Sequence, residues 1–161
     1  TYGTKFPYSE DIIILAKAMA PDAKLAGQEN AGIVYMGHGN EYFPGSGGAY
    51  LEFAAKMRKM YPGVVTTIGN VEGFPGIEDI MEALELYGVK KVILKPFMVV
   101  AGDHSINDMA GDEEDSWKSI LVKNGFEVVP VTKGLGENDD FCNIFVNHAV
   151  DAAKGAGIDL K

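Results

Sequence analysis

The sequence predicts an α/β protein, a parallel four-stranded sheet with helices on both faces. Three observations predict it. Four short apolar runs rich in β-branched residues recur along the 161 residues. Segments of helical period fill every interval between them. The composition, 47% hydrophobic and 23% charged, is that of a globular chain long enough to bury a real core. Continuous apolar runs of this length read as strands covered on both faces. Strands that alternate with helices require right-handed crossovers and therefore lie parallel.

The elements follow in order. "SEDIIILAKAM" (9–19) reads as an opening helix with Ser9 as its cap. "GIVYM" (32–36) is the first strand. "AYLEFAAKMRKMY" (49–61) winds Leu51, Ala54, Ala55 and Met57 around a helix that Pro62-Gly63 ends. "VVTTIG" (64–69) is the second strand. "IEDIMEALELYG" (77–88) sets Ile77, Ile80, Met81 and Leu84 on one stripe, with Glu78 and Asp79 in the first turn and Gly88 as the stop. "KKVILKPFMVV" (90–100) is the third strand, "SWKSILVKNG" (116–125) the next helix, and "FEVVPV" (126–131) the fourth strand. "DFCNIFVNHAVDAAK" (140–154) closes the chain as a helix. The longest irregular stretch is the loop from Gly102 to Asp115, and long loops in compact domains are often functional. No internal repeat, linker or low-complexity tract interrupts the pattern, so 1–161 is expected to be a single α/β domain.

Charge and composition narrow the function. A net charge of −9 argues against nucleic acid, whose phosphates need clustered Lys and Arg. No run approaches the roughly 20 apolar residues that span a bilayer, so no membrane partner is expected. The first residues have neither the basic nor the apolar region of a signal peptide. A cytoplasmic location is expected, or a periplasmic one if a longer precursor carries such a signal. Cys142 has no partner for an intrachain disulfide and, at helical spacing with Phe141 and Phe145, reads as a buried structural thiol.

In a parallel sheet, ligands bind outside the carboxyl ends of the strands. His38, Glu72 and His104 each follow a predicted strand by a few residues, and glycines flank them: Gly37 and Gly39, Gly73, and Gly102. Any one of these alone reads as an ordinary hydrogen-bonded loop residue. Three on one sheet edge point to a shared site. Two imidazoles and a carboxylate suit a divalent transition metal that keeps open positions, whereas closed structural zinc sites use four ligands, mostly Cys. Neutral imidazole and carboxylate also accept protons near neutral pH. His148 lies mid-helix and reads as a surface or packing residue.

"YMGHGNEYFPG", "GNVEGFPG" and "KPFMVVAGDHSINDMAGDEEDSW" together resemble the anaerobic sirohydrochlorin cobaltochelatases, class II chelatases, in their C-terminal half. The Gly-His-Gly, Val-Glu-Gly and Gly-Asp-His motifs about thirty residues apart carry the resemblance. It implies a chelatase-like, Rossmann-like three-layer sandwich. It implies that His38, Glu72 and His104 bind the metal and act in catalysis. It also implies insertion of Co²⁺ as a substrate metal into sirohydrochlorin, in a cleft between two similar α/β domains. An N-terminal companion domain is then expected to be absent from this chain, and the protein to be a homo-oligomer or to pair with that missing half. One departure falls in the substrate pocket: the family motif usually has Thr where this chain has Asn40, and Glu41-Tyr42-Phe43 are bulkier than the pattern.

Several readings stay open at this level. Met36, Gly37, Phe97, Met98, Val99 and Gly102 are the candidate substrate-binding residues, with Val100 beside them, although a stripe such as "PFMVV" also reads as plain core. Gly45 to Gly48 either cradles anionic arms on backbone N–H groups or is a flexible approach to a helix. "GDEEDS" (111–116) is a solvated acidic turn or a device that gathers cations. Lys95, Lys118 and Lys133 are the candidates to offset an anionic substrate. Ligand type does not choose between Co²⁺, Ni²⁺ and Fe²⁺. No organic cofactor is expected. A non-catalytic tetrapyrrole or metal-binding module and a metal-dependent hydrolase are the competing classes.

Overall fold

A computed structural model describes residues 8–27, 30–43 and 47–160, the side chains of residues 8 and 9 excepted. The order is α1 (Tyr8–Ala18), α2 (Ala20–Ala26), β1 (Ala31–Gly39), α3 (Gly48–Met60), β2 (Val65–Glu72), α4 (Ile77–Leu86) and β3 (Lys91–Pro96). A π-helical turn (His104–Met109), α5 (Trp117–Lys123), β4 (Glu127–Pro130), a 3-10 turn (Leu135–Glu137) and α6 (Asp139–Gly155) complete it. The four strands form one parallel sheet in the order β2-β1-β3-β4.

The expected α/β sandwich is the fold observed. On one face, Leu15 of α1, Phe53 and Met57 of α3 and Phe141 of α6 pack on Ile33, Tyr35, Ile68 and Ile93. On the other, Ile77, Ile80 and Leu84 of α4 and Trp117 and Leu121 of α5 pack on Val34, Met36, Val92 and Leu94. Residues of odd and even number along β1 thus serve opposite layers, as the period of two requires. The crossover helices alternate as handedness demands. The chain steps from β1 to β2 through α3 on one face, then back across β1 to β3 through α4 on the other. The direction of winding reverses between β1 and β3, and the carboxyl ends of strands at such a reversal are where parallel α/β sheets bind ligands.

Four features differ from the sequence reading. Residues 20–26 form a second helix, α2, with Pro21 in its first turn, where a proline lacks no bond it would otherwise make. The third strand ends at Pro96 instead of running to residue 100. Beyond it the backbone finds other partners: the N–H groups of Leu135 and Gly136, in the 3-10 turn, donate to the Met98 and Val99 carbonyls at 2.8 and 2.9 Å. The stretch 102–115 is not wholly irregular, since residues 104–109 wind as a π-helical turn. Ser9 lies within α1 rather than ahead of it.

α2 is held by a buried polar triad. Lys95 Nζ donates to both carboxylate oxygens of Asp22 at 2.8 Å, and the Tyr35 hydroxyl donates to Asp22 Oδ2 at 2.7 Å. Asp22 and Lys95 are both buried. Burial, and secondarily the Asp22 charge, pushes the Tyr35 hydroxyl well above its usual range. Lys95 is therefore committed to the fold and does not offset an anionic ligand, because removing it from Asp22 would strand a buried charge.

Candidate metal centre

His38 is the penultimate residue of β1, and its side chain is half exposed at the sheet edge. Gly39 follows with φ +78°, a left-handed conformation that costs a residue with a Cβ about 1–2 kcal/mol. The close approach of the next strand is as decisive. Gly39 stands in register with Glu72, and a Cβ built on it would lie 1.9 Å from the Glu72 carbonyl oxygen and 2.6 Å from Asn70 Cβ. Only glycine lets β1 and β2 end this close together. The approach brings His38 Nδ1 to 3.8 Å from Glu72 Oε2.

His104 comes from beyond β3, on the other side of the winding reversal. It opens the π-helical turn beyond β3, which buried Ser105 and Met109 anchor. Single π-helical turns are rare and often occur at functional positions. The His104 ring stands edge-on to the His38 ring, with centroids 4.9 Å apart and an interplanar angle of 89°. The two imidazoles thus stand side by side, with Glu72 next to one of them.

The partners of the rings fix which nitrogen is available. His104 Nδ1 is paired with the Asp108 carboxylate one turn on. His38 Nδ1 faces the Gly39 carbonyl at 3.3 Å. Carbonyls and carboxylates only accept, so in the neutral rings these contacts suit a proton on Nδ1 and a lone pair on Nε2. Glu72 sits on the Nδ1 side of His38. As the side chains stand, no group of three His, Cys, Asp or Glu among the described residues is arranged to hold an ion. The three are neighbours with half-exposed, movable side chains, not a closed cage.

Two asparagines brace the loops that carry the site. Asn70 is buried; its backbone N–H donates to the Pro75 carbonyl at 2.7 Å and its Nδ2 to the Phe74 carbonyl at 2.9 Å. Both bonds close the turn that presents Glu72. Asn40 Oδ1 accepts from the N–H groups of Tyr42 and Phe43 at 2.9 and 3.0 Å. The two turns abut, since a Cβ on Gly73 would come within 3.0 Å of the Asn40 carbonyl oxygen. The Tyr42 hydroxyl is raised above its ordinary range by its hydrogen bond to Glu41, with slight burial and the Glu72 charge adding to it.

The other candidates separate by burial. Met36 is fully enclosed and Gly37 buried, so neither offers surface to a ligand; Met36 belongs to the core beneath the site. Phe97 is half-buried in a ring cluster with Tyr35, Tyr50 and Phe53. Met98 packs partly against the second core layer. Val99, Val100 and Gly102 are exposed at the edge. The anion cradle expected at Gly45–Gly48 lies partly outside the described residues; Gly48 itself begins α3. In the acidic turn, Asp112 takes a 2.6 Å hydrogen bond from Lys118, which lowers its pKa. His148 packs α6 on α1 through a 3.0 Å contact with Asp11. Cys142 is half-buried rather than enclosed, its Sγ 3.2 Å from the Gly136 carbonyl oxygen.

Sequence reasoning missed Asp108 and Asn70, and marked Asn40 only as a departure from the family motif. Asp108 carried a usable signal, since it lies four residues after His104 and that spacing puts two side chains on one helical face. It was hidden because the stretch reads as a loop.

Comparison with known proteins covers most of the chain. The profile of the family described as cobalt chelatase (CbiK) matches residues 1–154. A protein of Salmonella typhimurium named sirohydrochlorin cobaltochelatase is 38% identical over 116 residues, which are 72% of this chain and 42% of that protein. A protein of Nitratidesulfovibrio vulgaris named sirohydrochlorin cobaltochelatase CbiKC is 37% identical over 120 residues, 74% of this chain and 41% of that one. The matched part therefore spans about two fifths of the length of these relatives. No helix among the described residues is long and apolar enough to cross a membrane.

Proposed function

This chain belongs to the cobalt chelatase (CbiK) family, and on that premise we propose that it carries the metal-handling half of an enzyme that inserts Co²⁺ into sirohydrochlorin. One observation carries the reading: two imidazoles, one at the end of β1 and one beyond β3, their ring centroids 4.9 Å apart, with Glu72 3.8 Å from the first, at the sheet edge where the winding reverses. The names of the two relatives support the ring and the metal.

The chemistry follows from the free ring nitrogens. Hydrated Co²⁺ exchanges water for His38 Nε2 and His104 Nε2, while the Glu72 carboxylate offsets its charge once its side chain or that of His38 turns. Rotations of half-exposed side chains between staggered positions are fast and inexpensive. Asp108 keeps the His104 ring oriented throughout. Insertion exchanges one dication for two protons: Co²⁺ leaves the imidazoles for the four pyrrole nitrogens, and the two inner N–H protons leave the ring. Each imidazole freed of metal is then a base beside a departing proton, which it passes to solvent. An open ligand set suits this cargo role better than a closed one, because the ion must leave as readily as it arrives.

Val99 and Gly102 line the exposed margin toward the ring, with Phe97 and Met98 supporting it from below. The reading also takes in a second α/β half, from the same longer protein or from another copy, that completes the cleft. It describes a cytoplasmic enzyme acting on a small molecule. The test is anaerobic mixing of purified protein, sirohydrochlorin and Co²⁺, followed by visible absorbance. Insertion faster than the uncatalysed rate is expected, falling by roughly 100-fold or more in His38→Ala and His104→Ala. Rates untouched by both substitutions would overturn the proposal.

A further inference from the structure

Three large aromatic side chains on the loops that follow β1 and β2 stand largely in solvent. Tyr42 is 80% exposed, Phe43 70% and Phe74 61%. They sit on the two loops that carry His38 and Glu72, two to five residues from those side chains. Isolated exposed apolar residues are ordinary, but three aromatics on two abutting turns make a patch, and patches mark binding surfaces.

The backbone beneath them is ordered for that purpose. Asn40 Oδ1 holds the Tyr42 and Phe43 N–H groups, Asn70 Nδ2 holds the Phe74 carbonyl, and the Gly73 turn rests against Asn40. Chain braced in this way presents its side chains without first losing entropy to order them, which is how a preformed surface gains affinity. A tetrapyrrole receiving metal from His38 and His104 must bring one face within bonding reach of both. Being wider than the imidazole pair, its flat conjugated face extends over the adjoining loops.

We infer that Tyr42, Phe43 and Phe74 form a stacking wall for the planar conjugated ring of the substrate. This rests on the chelatase reading and adds to it a specificity surface of aromatic, not aliphatic, character. Aromatic faces meet a flat π-system by offset or edge contact, and the carboxylate arms then project outward from the wall.

The experiment separates this inference from the reading it rests on. Metal-free sirohydrochlorin is titrated into the protein and into Tyr42→Ala, Phe43→Ala and Phe74→Ala, followed by its visible absorbance. KM for the ring, Co²⁺ affinity and the thermal midpoint are measured alongside. The ring Kd and KM are expected to rise about three- to tenfold for each aromatic removed, with Co²⁺ affinity and midpoint held and with Phe74→Trp restoring affinity. Unchanged ring Kd and KM in all three variants would overturn the wall. So would unchanged ring binding together with a shift in sedimentation mass, which would make the patch a protein contact. If the unmodified protein binds the ring but inserts no metal, the chelatase reading fails while the wall is still decided by the three Kd values. If it binds no ring, both fall.

Discussion

Replacing Gly39 with alanine tests the geometry on which the site depends. The new methyl would sit 1.9 Å from the Glu72 carbonyl oxygen and 2.6 Å from Asn70 Cβ, both on the neighbouring strand. No rotamer relieves it, because a Cβ has none. The left-handed φ of +78° adds about 1–2 kcal/mol, and forcing extra volume between packed strands adds about 1–3 kcal/mol. The sum, about 2–5 kcal/mol, lowers the midpoint of a domain this size by about 4–20 °C. The ends of β1 and β2 must also part, which carries His38 away from Glu72. Thermal unfolding by circular dichroism and Co²⁺ titration read the two effects on one sample, and at least a tenfold loss of Co²⁺ affinity is expected. Gly48→Ala is the control: nothing lies within 4 Å of its Cβ position, and alanine there is expected to be neutral or stabilising by up to about 1 kcal/mol. A Gly39→Ala protein that melts with the parent and binds Co²⁺ as tightly would refute the argument that the strand ends need a bare backbone.

Other consequences follow from the triad and from Asp108. Asp22→Ala leaves the Lys95 ammonium buried without its carboxylate and is expected to destabilise by about 3–5 kcal/mol, a fall of roughly 6–20 °C in midpoint; an unchanged midpoint would mean that Lys95 reaches water. Because the folded state holds the Tyr35 proton more tightly than the unfolded chain does, its contribution is complete below about pH 10 and is lost as pH rises above that toward the folded value. Urea unfolding across that range should show a smaller alkaline loss in Tyr35→Phe, and an identical slope would remove Tyr35 as its source. Asp108→Ala frees the His104 ring to turn and is expected to weaken Co²⁺ binding by about 10–100-fold with little change in midpoint, whereas an equal loss of stability and binding would make Asp108 only a structural residue.

The amino-acid order alone determined the fold class and singled out the candidate site side chains. Strands and helices are legible because burial on both faces writes continuous apolar runs, as in "GIVYM", and burial on one face writes a helical period, as in Ile77, Ile80 and Leu84. His38, Glu72 and His104 are legible because a strand's carboxyl end is a position in the sequence before it is a place in space. What the tertiary structure alone decided is every relation between elements. The sheet order β2-β1-β3-β4 sets His38 and His104 on either side of the winding reversal, and no local pattern encodes that order. Lys95 reads as an available cation until Asp22, 73 residues away, claims it. Met36 and Val99 read as one apolar class until β1 carries the first into the core and the end of β3 at Pro96 leaves the second exposed. The physical reason is common to all three. Periodicity reports how much surface a residue loses, which is local, whereas partner and direction depend on contacts between segments far apart in the chain.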